Sequence, residues 1–342
     1  MPSVPDASRS TSSAGNPGSP PPLQPGAPVP ETATVRQIGE FGLIEGLRQR
    51  FTQGPHVFLG PGDDAAVVRT SAGHAVISTD LLVEGQHFRR DWASAADVGR
   101  KAVAQNVSDI NAMGGRAHTL VVGLVLPTDT PASWVLEMAE GMAAEAAAVG
   151  ASIVGGDVTQ GREVVIAVTV LGACETAPVR RDGARPGDVL ALAGRQGWSA
   201  AGMAVLARGF RSPRVVVEAH RHPEPPYEAG PAAAAAGASA MIDVSDGLVA
   251  DVGHLAHQSE VAIDIHASSF SIDEPLQAVG SALGSDPLRF VLTGGEDHAL
   301  VATFPADAAL PDGWRAIGRV TSGTGVTVDG EAYAGVGGHR HF

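Results

Sequence analysis

Acidic side chains recur in this sequence beside glycine, serine and threonine. "LGPGDDAAVV" sets Asp63 and Asp64 at the mouth of an apolar run, and "STDLLVEGQHF" carries Ser78, Thr79, Asp80 and His87. "NVSDI" holds Asp109, "VGGDVT" holds Asp157, "IDVSDG" holds Asp243, Ser245 and Asp246, and "TGGEDHAL" holds Glu296 and Asp297. Singly, each reads as a turn, a helix cap or loop punctuation. Adjacent carboxylates repel each other and gain nothing by facing a core. Taken as one set they suit a hard cation, since Mg²⁺ takes oxygen ligands and is usually held by a few carboxylates plus substrate phosphates. Neighbouring glycines let phosphate approach the backbone, and free N–H groups at a helix start favour anions. Asp109 is the most telling, because a carboxylate costs propensity inside a helix flanked by Val107 and Ile110. His87 alone reads as a surface or capped histidine, and Lys101 alone as a solvated helix residue.

Composition narrows the classes. The 342 residues favour two domains over one. The net charge of −14 argues against a nucleic-acid or anionic-membrane surface and suits a protein that gathers cations. A single cysteine, Cys174, excludes an internal disulfide framework and a cysteine-based zinc site, and makes a reducing cytoplasm the natural compartment. No apolar run approaches the ~20 residues of a membrane-spanning helix, and the N-terminus lacks a signal-peptide order. Lys101, the one lysine, sits between Arg100 and Ala102, so there is no Walker A loop. The protein-kinase motifs are absent too.

The elements that must position these residues follow from periodicity. Residues 1–33 are rich in Pro, Ser, Gly and Ala without apolar periodicity, the composition of a disordered tail. An N-terminal domain is expected over 34–175. It opens with a helix carrying Phe41, Ile44, Leu47 and Phe51, then strands near 65–69 and 75–79. Ser94 and Asp97 form a capping box for a helix whose stripe is Val98, Ala102, Val103, Val107, Ile110 and Met113. A strand at 118–126, an Ala-rich helix at 133–149 closed by Gly150, and strands at 151–154 and 163–172 complete the unit. A second α/β domain is expected over 176–342. It has a strand after "RPGD", a helix near 198–207, an irregular 209–239 ending in an Ala-rich helix, and the buried strand "AMIDV". A helix N-capped by Ser245 then turns Leu248, Val252 and Leu255 inward, with strands near 261–265, 298–304 and 314–320. The alternation of strands and helices makes the fold class α/β.

The ordered series "GEFGLI", "GPGDDAAVV", "STDLLVEGQHF", "GRKAVAQNVSDINAMGG", "VGGDVTQG", "RDGARPGD", "DVSDGLVADVGHLA" and "LTGGEDHAL" resembles the thiamine-monophosphate kinase family. That family lies within the aminoimidazole-ribonucleotide-synthetase-like ATP-binding superfamily. The resemblance runs from about Gly39 to the C-terminus. It implies two α/β domains, with the N-terminal domain forming a β-barrel shared across a homodimer. It implies ATP as co-substrate, several Mg²⁺ ions and thiamine monophosphate as acceptor, with no nucleic-acid or membrane partner. Asp64, Ser78, Thr79, Asp80, Asp109, Asp157, Asp243 and Asp246 match metal-binding positions. Gly156, Asp157, Arg181 and Ser245 match nucleotide contacts, and His87, Glu296 and His339 match acceptor contacts, with Phe342 an alternative to His339. Asp109, Asp246 and Arg181 would act in catalysis. The implied reaction transfers the γ-phosphoryl group directly to a phosphate that is already largely ionised, so alignment and charge matter more than a strong base.

The sequence departs from the family pattern at three further positions: Val158 replaces a Thr, His298 a Tyr and Pro226 an Arg, a contact that Arg221 would then supply. Rival superfamily activities fit less well. A selenophosphate synthetase needs a reactive residue in an N-terminal glycine-rich loop, and Cys174 is far from that place. A hydrogenase-maturation relative needs a C-terminal cysteine, and this chain ends "HRHF". Aminoimidazole ribonucleotide synthetase lacks the combined "STDLLVEGQHF" and "GGED" pattern. A nucleotide-binding regulator without catalysis would be missing a metal aspartate, and none is missing.

Overall fold

The computed structural model describes residues 54–333, apart from 56, 61, 62, 71 and 72. The expected tail over 1–33, the helix through Phe51, His339 and Phe342 lie outside the described residues. The first half builds β1 (Val57–Leu59), β2 (Ala66–Thr70), β3 (Gly73–Val83), α1 (Ala95–Ala112), β4 (Arg116–Leu126), α2 (Ala132–Ala148), β5 (Ser152–Gln160) and β6 (Val165–Ala173). Its strands form one sheet in the order β1-β2-β3-β6-β4-β5 among the described residues. Only β4–β5 is parallel there, so alternating strands and helices produce a mostly antiparallel sheet.

Helices α1 and α2 cover one face of this sheet. Ser94 and Asp97 form the expected capping box on α1, and the stripe from Val98 to Met113 is buried. Gly99 and Gly141 allow the two helices to touch, because a Cβ on either would fall 2.0 or 2.1 Å from a backbone oxygen of the other helix. Gly150, at φ +70°, ends α2 in the left-handed conformation, and Ala151 N donates to Ala146 O at 2.8 Å. Alternation along β3 turns Val76 and Leu82 into the core while Thr79 and Leu81 are exposed. Ser78 and Asp80 therefore share the face that meets α1. The edge strand β5 is exposed along its whole length.

The second half builds β7 (Val189–Ala193), α3 (Trp198–Ala207), α4 (Arg214–Arg221), α5 (Ala229–Ala235), β8 (Ala240–Val244), α6 (Leu248–Gln258), β9 (Ala262–Ile265), α7 (Glu274–Leu283), α8 (Pro287–Thr293), β10 (Ala299–Phe304), β11 (Trp314–Thr321), β12 (Gly325–Val328) and β13 (Glu331–Ala332). Its sheet runs β13-β12-β9-β11-β7-β10-β8 among the described residues, and only β9–β12 is parallel. Ala112 from the first half and Val179 from the segment that follows β6 join Ala191, Met241, Leu300 and Phe304 in one buried cluster, so the two halves share part of a core. Among the described residues, no helix is long and apolar enough to cross a membrane.

Two expectations are corrected. The segment 209–239 contains helix α4 as well as the Ala-rich α5. Its strongly amphipathic "RVVVEAHR" is short, and Pro213 before it conceals the start. Ser245 does not cap the helix after β8. Gly247 is the N-cap, and the Asp251 carboxylate accepts from the N–H groups of Asp246 and Gly247 at 3.0 and 2.9 Å. A carboxylate within the first turn supplies the capping oxygen, which frees Ser245 for the cavity beside it.

Candidate active site

A cavity of about 470 Å³ opens where β2, β3, α1 and the end of β8 converge. Asp63, Asp64, Ser78, Thr79, Asp80, Asp109, Arg181, Asp243 and Ser245 line it, with Ala65, Ala66, Ile77 and His298. Residues separated by up to about two-thirds of the chain in sequence are thus neighbours. Carboxylate oxygens of Asp64, Asp109 and Asp243 lie within 4.8 Å of one another.

Each carboxylate has a distinct environment. Arg181 grips both oxygens of Asp64, with Nε at 2.9 Å and Nη2 at 2.7 Å, and its backbone N–H donates to Asp63 at 3.1 Å. Burial nevertheless raises Asp64 to about 7, against the opposing pull of Arg181. Ser78 Oγ donates to Asp109 at 2.5 Å. Asp109 lies well above the usual carboxylate range because it is buried and faces Asp80 and Asp243. Burial likewise raises Asp63 and Asp80, although Gln105 donates to Asp80 at 3.0 Å. Burial pushes Asp243 up as well, but His298, with Nδ1 at 2.9 Å, outweighs it and lowers the carboxyl below its ordinary value.

This donor set fits Mg²⁺. It consists of carboxylate and hydroxyl oxygens, hard donors without thiolate or other soft ligands, and it converges on one point. An ionised carboxylate has about four acceptor sites, so the grip of Arg181 leaves Asp64 capacity for a cation.

The other sequence candidates are placed elsewhere. Thr79 lines the cavity, but its hydroxyl bonds Val168 O at 2.9 Å and accepts from Thr169 at 3.0 Å on the sheet's outer side. Gly156 and Asp157 lie on β5, in register with Val122 and Gly123 of β4, three strands from β3. The cavity formed by this one chain does not include them, nor Asp246. Val158, on the same strand, is exposed. Pro226 offers its carbonyl to Asn111, and Arg221 Nε donates to Trp92 O at 2.5 Å.

His87 and Glu296 form a second locus, tied to the first because Glu296 N donates to Ser245 O at 2.9 Å. His87 Nδ1 accepts from Val83 N at 3.0 Å, which places the proton of a neutral ring on Nε2. Burial would raise Glu296, but Lys101 and His220 hold it down at about 2. Asp297 instead anchors α3, accepting from Gly197 N at 2.8 Å and Ser199 N at 2.9 Å. Lys101 overturns its expected solvated position, being 2% exposed. Its place between the buried Val98 and Ala102 was the available signal. The pairing of His298 with Asp243 had no local signal, because it joins adjacent strands of a sheet.

The two sheets and their acidic cleft define a mixed α/β protein whose clustered carboxylates could hold a metal cation. Residues 62–174 match the family described as AIR synthase related protein, N-terminal domain, and residues 185–331 match its C-terminal domain. Thiamine-monophosphate kinase of Mycobacterium tuberculosis is 49% identical over 315 residues, covering 91% of this chain and 94% of that protein. The enzyme of that name from Corynebacterium glutamicum is 40% identical, covering 90% of this chain and 95% of the relative. A solved structure of AaThiL complexed with AMPPCP and TMP is 32% identical and superposes with a TM-score of 0.83 over 92% of this chain and 100% of its own. The chain belongs to the AIR-synthase-related family and, within it, to the thiamine-monophosphate kinases.

Proposed function

We propose that the protein transfers the γ-phosphoryl group of ATP directly to thiamine monophosphate, giving ADP and thiamine diphosphate in thiamine diphosphate biosynthesis. The convergence of Asp64, Asp109 and Asp243 within 4.8 Å carries this reading. Bringing two polyanions together is the main obstacle, and the acceptor oxygen is already a competent nucleophile at pH 7. Several Mg²⁺ ions, when bound, supply charge neutralisation and alignment for the phosphates. Asp64, Asp109 and Asp243 would hold them with Ser78 and Asp80, and Asp157 and Asp246 would complete the set.

Arg181 opposes the effect of burial on Asp64 and supplies a fixed positive charge at the cavity wall. Ser245 and Gly156 would contact the nucleotide. Glu296, kept ionised by Lys101 and 32% exposed, offers negative charge to the cationic thiazolium ring, and His87 would contact the same substrate. In-line geometry would follow from ATP at the Asp109 locus and the acceptor at the Glu296 locus.

We further infer a homodimer assembled through the outer face of the first sheet. Leu81 and Val121 are exposed on that sheet, and Ile153, Val154 and Val158 are exposed on its edge strand β5. Such pairing would let β5 of a second copy contribute Gly156 and Asp157, which stand apart from the cavity within one chain.

The deciding experiment incubates the purified protein with Mg²⁺, ATP and thiamine monophosphate and resolves the products. One ADP and one thiamine diphosphate per turnover are expected, with free thiamine left unphosphorylated. Release of inorganic phosphate without thiamine diphosphate would refute the assignment.

A further inference from the structure

Lys101 lies where α1 passes beneath the loop carrying His87. Its Nζ donates to the His87 carbonyl at 3.0 Å and to Glu296 Oε1 at 3.0 Å. Burying an ammonium is costly unless it is paired, and an apolar side chain at this position would continue the packed stripe of Val98 and Ala102. The retained charge joins two groups from opposite halves of the chain. One is the loop between β3 and α1, and the other is the turn before β10.

That turn is tightly determined. Glu296 adopts φ +64° and His298 φ +53°, left-handed conformations that are unfavourable for a non-glycine residue. A Cβ on Gly295 would meet Ser245 O at 2.0 Å, so the turn is pressed against the end of β8. The His87 loop is docked on the second half as well, since Trp92 accepts from Arg221 and packs edge-on against His220 at 6.0 Å. His220 Nδ1 lies 3.5 Å from the remaining oxygen of Glu296. Lys101 sits between loop and turn and is not part of the acidic cavity lining.

We propose that Lys101 is a positioning residue for the phosphate-accepting substrate, its ammonium clamping the His87 loop to the Glu296 turn and setting the separation between them. This rests on the functional reading above, in which those two residues contact thiamine monophosphate. A lysine that merely neutralised a buried carboxylate would contribute stability without distinguishing between the two substrates. A clamp acts on one substrate and spares the other.

The test compares the full-length wild type with Lys101→Met and Lys101→Gln, measuring kcat, the KM for each substrate and Tm. In Lys101→Met, the KM for thiamine monophosphate should rise about tenfold or more, with the KM for ATP within about twofold of wild type. Lys101→Gln, whose amide still donates a hydrogen bond, should lie between Met and wild type in KM, whatever its Tm. Parallel rises in both KM values, or an unchanged KM for thiamine monophosphate in a folded variant, would overturn the clamp. If Lys101→Met does not fold, Lys101→Gln decides alone, and failure of both to fold would make Lys101 a folding element and overturn it too. A wild type that forms no thiamine diphosphate would instead bring down the functional reading, an outcome distinct from wild-type turnover without the KM split.

Discussion

Arg181 and Asp64, 117 positions apart in the chain, form a two-pronged ion pair with N–O distances of 2.9 and 2.7 Å. The pair links the glycine-rich entry to β2 with the segment leading into the second half. It explains how two adjacent aspartates are tolerated at the mouth of an apolar strand. Asp64 meets the guanidinium, Asp63 accepts the backbone N–H of Arg181, and the triad of carboxylates opens beside them.

Arg181→Met should therefore act on both folding and turnover. Removing one partner of a largely buried pair leaves the other charge uncompensated, at a cost of up to about 3 kcal/mol. A lower Tm in Mg²⁺-free buffer is expected, together with a fall in kcat of about 10²-fold from lost charge stabilisation. Thermal melts and steady-state kinetics on one preparation check this, and an unchanged kcat would remove Arg181 from the reaction.

Asp109→Asn should separate catalysis from stability. The substitution keeps shape and the acceptor for Ser78, and it takes an ionisable carboxyl out of a repelling cluster. Tm without Mg²⁺ should hold or rise. Turnover should drop by about two orders of magnitude or more, and the Mg²⁺ needed for half-maximal rate should increase. The bland alternative, a local hydrogen-bonding aspartate, requires the reverse: modest destabilisation with near-normal kinetics at low Mg²⁺.

His220 gives a pH signature. Burial and the nearby Lys101 lower its pKa from 6.5 to about 4. Between those values the unfolded chain binds a proton that the folded chain does not. The stability from neutral His220 is full above about pH 6.5 and is lost as pH falls toward 4, to a ceiling of about 3 kcal/mol. His220→Gln removes the titration, so the Tm difference between wild type and variant should shift against wild type as pH drops from 7 to about 4.5. Parallel Tm curves across that range would show that His220 titrates alike in the folded and unfolded chains.

Ser94→Ala provides a control away from the cavity. It breaks a capping box in which Asp97 N donates to Ser94 Oγ at 3.1 Å and Ser94 N donates to Asp97 at 3.0 Å. A stability loss of about 1 kcal/mol is expected with KM and kcat near wild type. A large kinetic effect would mean that the N-terminus of α1 communicates with the site.

Local physics made much of this chain legible in advance. The capping box at Ser94, the left-handed stop at Gly150 and the buried stripe of α1 depend on neighbours within a few residues, and they stand where periodicity and cap chemistry place them. The run "AMIDV" is a buried strand for the same reason. Motif spacing also picked out the acidic set, because small residues beside carboxylates leave a mark in composition.

What the tertiary structure decided is which of those residues meet. Ser78 and Asp80 join Asp109 because alternation along β3 turns both toward α1, while Thr79 turns its hydroxyl outward. Asp157 stands three strands away because β5 pairs at the far edge of the sheet, an outcome of strand order that no local pattern encodes. Ser245 lost its capping role to Asp251, because a carboxylate one turn into the helix reaches the free N–H groups first. Lys101, indistinguishable by type from a solvated helix residue, is drawn inward because its two acceptors arrive from opposite halves of the chain. Helix caps and burial stripes are settled by short-range energetics, whereas convergence of charges depends on long-range packing, which the sequence encodes only through the fold as a whole.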